Sequence, residues 1–403
     1  MKLILKKCKY IVTQNSKRQI LENQDVLING NKIEKIGKNL KGDKAIDCSH
    51  NIVIPGLINL HTHVGMQLLR GIADDMHLKD WLNKKILPAE AKLTPDKIYV
   101  AATMAINEML KTGTTCFNDQ YISMNRVADA VKEIGIRAFL SRGMVDIDGK
   151  ASTEKRLKEE KELANYIKQL KCSRISFAVG PHAPYTCSKN LLVRSQKLAR
   201  KNKVNLHIHI AETRKELADS LKNYGKRPVE YLESIGFLDK NVIAAHCCWI
   251  TKSEIKTLAK RRVSVAHCPR SNMKLASGGI MPLKELQEAN VNVGLGTDSA
   301  VSNNNLDMFE EMHTCALVQK HNYWDATVAP AQTVFDMATL NGAKALSINA
   351  GAVEKGKLAD LVLLDANHFL LQPLEKNRII SHLVYSANGS CVQKVLVDGK
   401  QII

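Results

Sequence analysis

Val53-Ile54-Pro55-Gly56-Leu57-Ile58-Asn59-Leu60-His61-Thr62-His63 is an apolar run that ends in two histidines spaced i, i+2. On a β-strand, residues two apart project from one face, so His61 and His63 would point into a single cavity, as a metal site requires. Alone, the pattern is more often a strand end with two chance histidines. Its weight comes from downstream, where further histidines and an aspartate close other apolar runs.

Beyond that run, short buried strands alternate with helical segments. Strands are expected at 114–118, 137–142, 175–180, 204–210, 242–246, 263–267 and 291–296, and helices at 94–111, 125–134, 154–170, 189–201, 229–235 and 253–260. With the strand ending at His61-x-His63, this makes eight β/α units. Eight units argue for an α/β fold of the (β/α)8 TIM barrel type over residues 57–345, with a doubly wound open sheet as the competitor. Both arrangements place functional groups at the C-terminal ends of parallel strands.

The flanks read differently. Val26-Leu27-Ile28-Asn29-Gly30-Asn31-Lys32-Ile33 is a hairpin signal with Asn-Gly at its turn. Val395-Leu396-Val397-Asp398-Gly399-Lys400-Gln401-Ile402 repeats it, and residues 359–365 form another buried strand. Residues 1–56 and 346–403 are therefore expected to build one small β-sandwich-like module from both termini. No candidate ligand falls in it.

Composition bounds the function. A chain of 403 residues with 45% hydrophobic and 24% charged residues can bury a large core and is ordinary globular protein. No apolar stretch reaches the roughly 18 residues of a membrane helix, and the first ten residues carry four lysines without an apolar signal region. A cytoplasmic protein with no membrane partner is expected. The ten cysteines are scattered without a Cys-x-x-Cys pair, which suits reduced thiols better than disulfides or a cysteine zinc site. The net charge of +18 invites a nucleic-acid reading. Lysines interleaved with glutamates over 153–168 and an aromatic content of 5% favour a solvated surface instead, with no nucleic-acid partner. A homo-oligomer, dimer or tetramer, is expected.

The chemistry gathers at strand ends. Val204-Asn205-Leu206-His207-Ile208-His209-Ile210-Ala211-Glu212 places His209 nearer the C-terminal end than His207, with Glu212 just past it. The next strands end in His246 and His267, and the last runs into Gly296-Thr297-Asp298. By itself Asp298 reads as a helix N-cap. Three neutral imidazoles and one carboxylate together suit one Zn²⁺, or Fe²⁺, with room left for a water. Residues 175–180 contain no lysine that could be carbamylated to bridge two ions, so a single metal is the simpler expectation.

These residues resemble the amidohydrolase superfamily, and within it the 5-methylthioadenosine/S-adenosylhomocysteine deaminases and archaeal 5′-deoxyadenosine deaminases. The resemblance runs from Pro55-Gly56 through Ser271-Asn272-Met273-Lys274-Leu275-Ala276-Ser277-Gly278 to Gly356-Lys357-Leu358-Ala359-Asp360-Leu361. It includes His209-x-x-Glu212, Ala245-His246-Cys247 and Gly296-Thr297-Asp298 followed by Ser302-Asn303-Asn304. The resemblance implies a metal held by His61, His63, His209 and Asp298. It implies hydrolytic deamination by attack of metal-activated hydroxide at C6 of an adenine nucleoside: 5′-deoxyadenosine, 5′-methylthioadenosine, S-adenosylhomocysteine or adenosine. Glu212 would protonate the purine N1, His246 would orient or polarise the hydroxide, and Asp298 would carry the proton to ammonia. For the substrate, it implies Trp81 as a wall, Glu90 for the ribose hydroxyls, His182 at the sugar, and Arg142 and Arg156 at a 5′ carboxylate, with Ser302 also in the site. Residue by residue, Trp81 is equally a core residue, Glu90 an exposed acid and Arg156 a solvated arginine. His267 stands in Ala266-His267-Cys268, where the family usually has Asn at position 268, and is expected to line the site without ligating. Guanine deaminases and triazine hydrolases share these motifs and are the alternative. A non-catalytic basic barrel that binds nucleic acid or protein would have no need of the ligand set or Glu212.

Overall fold

The computed structural model describes residues 2–76, 80–147, 149 and 151–403. Its strands are β1 Lys2–Val12, β2 Ile20–Asn29, β3 Lys32–Gly37, β4 Lys44–Asp47, β5 Asn51–Pro55, β6 Leu57–Thr62, β7 Thr114–Tyr121 and β8 Arg137–Arg142. They continue with β9 Ile175–Phe177, β10 Leu206–Ile210, β11 Val242–His246, β12 Ser264–His267, β13 Asn292–Leu295, β14 Leu361–Asp365, β15 Val392–Val397 and β16 Lys400–Gln401. Strands β6 to β9 and β10 to β13 form two four-stranded parallel sheets with neighbours in sequence order. Nearly every residue of these strands is buried, as expected where helices cover a parallel sheet.

The two sheets meet at both edges through isolated parallel bridges, Thr62 with Asp298 and Val179 with Leu206. At the first seam Asn59 Nδ2 donates to Thr297 Oγ1 (2.7 Å) and Thr297 N donates back to Asn59 Oδ1 (3.1 Å). Only glycine fits at 296, because a Cβ there would come within 2.8 Å of His61 Cβ and N. The regular strand expected at 175–180 ends at Phe177; beyond it Ala178 N still donates to Leu140 O of β8 (2.9 Å), while Val179 N donates across the second seam to Asn205 O (2.9 Å).

Helix starts follow their caps: Thr94, Ser152, Ser188 and Thr251 each accept a backbone N–H two or three residues into the following helix. Sequence reading passed over the helices Arg214–Tyr224 and Met308–Tyr323. The second buries Met308, Phe309, Glu311, Met312, Cys315, Ala316, Val318 and Gln319, so it has no single apolar stripe to reveal it.

Strands from both ends of the chain share one sheet in the order β16-β15-β14-β5-β1-β2-β3, with β4 also on β1. Leu5, Ile11, Val26, Ile28, Val53, Leu361, Leu363 and Leu396 form its own small core. The C-terminal hairpin turns on Asp398 and Gly399, both left-handed (φ 55° and 75°), as its Asp-Gly predicts. The N-terminal hairpin turns on Gly30-Asn31 rather than Asn29-Gly30, since Asn29 still pairs with Lys32. Arg137, at the start of β8, fastens this sheet to the parallel ones. Its guanidinium donates to both oxygens of Asp360 (2.8 and 3.1 Å) and to Asp398 (3.0 Å). Among the described residues no helix is long and apolar enough to cross a membrane.

Candidate metal centre and active site

His61 and His63 at the end of β6, His209 in β10, His246 closing β11 and Asp298 after β13 converge on one point. His63 Nε2 lies 3.3 Å from His209 Nε2 and 3.3 Å from Asp298 Oδ1, and His61 Nε2 lies 3.5 Å from the same oxygen. His61 Nε2 is buried with no hydrogen-bond partner among the described residues. His246 offers a further nitrogen within 4.8 Å of those of His61 and His209. Four donors placed tetrahedrally about 2.0–2.1 Å from a zinc ion stand about 3.3–3.4 Å apart. The three separations given above match that spacing, so the chemistry and placement of these donors suit a single ion.

An outer ring aims these donors. His63 Nδ1–H donates to the carbonyl of Gln120 (2.6 Å) and His209 Nδ1–H to that of His182 (2.8 Å). A carbonyl can only accept, so both tautomers leave Nε2 free to ligate. His61 Nδ1 pairs with His207 Nε2 (2.7 Å), and His246 Nδ1 with Asn272 Nδ2 (3.0 Å). Burial lowers His61 to about 3 and takes His209 well below its ordinary value, which keeps both imidazoles neutral. Burial also opposes ionisation of Asp298, but the imidazoles of His61 and His63 beside it outweigh that and hold the carboxyl well below its usual range. Its Oδ2 accepts from Ser271 (2.6 Å) and Ser302 (2.9 Å), and its Oδ1 from the Ser299 amide (2.7 Å).

Part of the backbone at this centre is left-handed. Ala211, His246, Cys247 and Asp298 all have positive φ (52°, 72°, 53° and 59°), a conformation that non-glycine residues avoid unless the surroundings impose it. Ala211 precedes Glu212, whose carboxylate stands 3.8 Å from His246 Nε2. Burial raises Glu212, favouring the protonated form. Glu216 fixes this turn by accepting the Ala211 and Glu212 amides, each at 2.8 Å.

The remaining expected residues lie around this centre. The His182 ring is 4.7 Å from that of His209, its Nδ1 is paired with Thr186 Oγ1 (2.8 Å), and burial lowers it to about 4. Glu90 accepts from the Tyr121 hydroxyl (2.5 Å). Arg142 and Arg156 share one acceptor, Glu159 Oε2 (2.8 and 3.3 Å). Ser302 is engaged with Asp298. The side chain of Trp81 lies outside the described residues. His267 is buried, with Nε2 3.3 Å from Gln319 Nε2 on the helix Met308–Tyr323, and burial together with the nearby His246 lowers it to about 3. Sequence reasoning missed His207, Gln120, Tyr121 and Asn272. Only His207 left a signal, its i, i+2 spacing from His209.

The amidohydrolase family profile matches residues 52–402, and the chain belongs to that family. It is 50% identical to the 5-methylthioadenosine/S-adenosylhomocysteine deaminase of Thermococcus kodakarensis over 378 residues, 93% of this chain and 88% of that one. It is 47% identical to the 5′-deoxyadenosine deaminase of Methanothermobacter thermautotrophicus over 384 residues, 94% and 88% of the two chains. Among solved structures, an adenosine deaminase from Xanthomonas campestris with bound zinc superposes with a TM-score of 0.94 at 36% identity, over 99% of this chain and 92% of that one.

Proposed function

We propose that the chain hydrolyses the 6-amino group of adenine nucleosides, among them 5′-deoxyadenosine, 5′-methylthioadenosine and S-adenosylhomocysteine, to the inosine analogue and ammonia. The observation that carries this reading is the convergence of four donors, three of whose pairs stand 3.3 to 3.5 Å apart, with a part-buried acid, Glu212, 3.8 Å from His246 beside them. The names of relatives nearly half identical along the whole chain favour an adenine nucleoside over guanine or a triazine.

In this reading His61, His63, His209 and Asp298 would hold one divalent ion, zinc in preference to ferrous iron because neutral imidazoles and a carboxylate are ligands that zinc takes readily. When bound, the ion supplies the Lewis acidity that makes water nucleophilic near neutral pH. Glu212, whose acid form its burial favours, donates a proton to purine N1 as attack at C6 builds negative charge on the ring. His246 orients the attacking water through Nε2, since its Nδ1 is engaged by Asn272. Asp298 takes the water's proton and returns it to the departing ammonia, with Ser271 and Ser302 steadying its other oxygen. Trp81 walls the nucleoside, Glu90 accepts the ribose hydroxyls, His182 meets the sugar, and Arg142 and Arg156 face a 5′ carboxylate.

The same reading takes residues 57–345 as a closed (β/α)8 barrel and residues 1–56 and 346–403 as the accompanying β module. The bridges at both sheet seams support closure. Ammonia release across adenosine, 5′-deoxyadenosine, 5′-methylthioadenosine, S-adenosylhomocysteine, guanine, cytosine and a triazine tests the substrate class. Turnover of the adenine nucleosides is expected. Turnover of guanine or the triazine without them would contradict it.

A further inference from the structure

Tyr121 is the last residue of β7 and is 8% exposed, and its ring centroid lies 6.2 Å from that of His63. The ring occupies space that a side chain at position 65 would need: a Cβ on Gly65 would fall 2.4 Å from Tyr121 Cδ1. Wedged there, it donates its hydroxyl to Glu90 Oε1 (2.5 Å). Glu90 sits at the end of the short helix Leu87–Glu90, part-buried, and no other hydrogen bond to its carboxylate is seen among the described residues.

A glutamate on such a short element has rotamer freedom to lose when a ligand orders it. The tyrosine hydroxyl removes that freedom beforehand. It occupies one carboxylate oxygen and leaves the other to accept from a ligand, at a fixed direction from the imidazole cluster.

We propose that Tyr121 is a positioning residue for ribose recognition, orienting Glu90 so that its free oxygen meets the vicinal hydroxyls of the nucleoside. The proposal rests on the reading of Glu90 as the acceptor for those hydroxyls. It makes Tyr121 the link that sets the distance from the sugar to the reacting centre. Its effect should therefore be confined to substrates that carry the 2′,3′-diol.

The test compares 5′-deoxyadenosine with 2′,3′,5′-trideoxyadenosine in wild type, Tyr121→Phe, Glu90→Ala and the double variant. Where turnover of the trideoxy compound is too slow, its inhibition constant is read instead. Tyr121→Phe removes one oxygen and keeps the ring packed against Gly65, so the fold is retained. It should lower kcat/KM for 5′-deoxyadenosine by about 3- to 10-fold, mainly through KM, and change the trideoxy compound by less than about twofold. The double variant should lose no more than Glu90→Ala alone, because Tyr121 acts only through Glu90. Equal losses on both compounds, or additive losses in the double variant, would overturn the proposal. Should Tyr121→Phe leave the preference for the diol intact while Glu90→Ala abolishes it, the proposal falls and the reading of Glu90 survives. Should Glu90→Ala itself leave the preference intact, the reading of Glu90 falls and the proposal with it.

Discussion

His207 Nε2 lies 2.7 Å from Nδ1 of His61, so the two imidazoles form a buried pair behind the metal-binding face. With its Nδ1 engaged, His61 presents a free Nε2, which has no hydrogen-bond partner among the described residues. Groups that orient a ligating histidine in this way typically contribute about 10- to 100-fold in metal affinity. His207→Leu should weaken zinc affinity by that factor in a chelator competition, whereas His209→Ala should lose stoichiometric binding. Unchanged affinity in His207→Leu would remove the pair from the metal site.

Glu212→Gln keeps the size and hydrogen-bonding capacity of the side chain but cannot supply a proton. Its kcat on 5′-deoxyadenosine should fall by about 10²-fold or more with metal content intact, as loss of general acid catalysis predicts. A near-normal kcat would take Glu212 out of the proton path.

Arg142 and Arg156 bring two positive charges to one carboxylate, Glu159, so the cluster retains a net positive charge for a second carboxylate. Arg142→Met should lower kcat/KM for S-adenosylhomocysteine by about 10- to 150-fold, the value of a charge-assisted hydrogen bond. 5′-Deoxyadenosine and 5′-methylthioadenosine should stay within a few fold. Equal losses on all three would assign Arg142 to the scaffold.

Arg137 is the buried tie between the parallel sheets and the sheet built from both ends of the chain. Arg137→Met strands the carboxylates of Asp360 and Asp398 with little access to water, and should reduce unfolding free energy by about 3–5 kcal/mol in denaturant titration. A loss under about 1 kcal/mol, the scale of a surface ion pair, would show that the two carboxylates find other partners.

The strand-end positions of His61, His63, His209, His246 and Asp298 were legible because alternation and chain direction are local properties of a parallel strand. Asp298 by itself read as a helix cap, and only its convergence with the histidines separated the two possibilities. What was not legible depends on distant segments. Gln120 serves His63 through a backbone carbonyl, so its side chain carries no sign of that role. Tyr121 and Glu90 are 31 residues apart, and Asn272 reaches His246 across 26. The left-handed backbone at Ala211, His246 and Asp298 goes against local preference and is imposed by the packing around it.

The most direct test is a metal titration of metal-free protein with Zn²⁺ while ammonia release from 5′-deoxyadenosine is followed. Activity should rise linearly and break at one ion per chain, and His63→Ala should show neither tight binding nor turnover. Full activity in the metal-free protein, or a break at two ions per chain, would contradict a single metal centre built from His61, His63, His209 and Asp298.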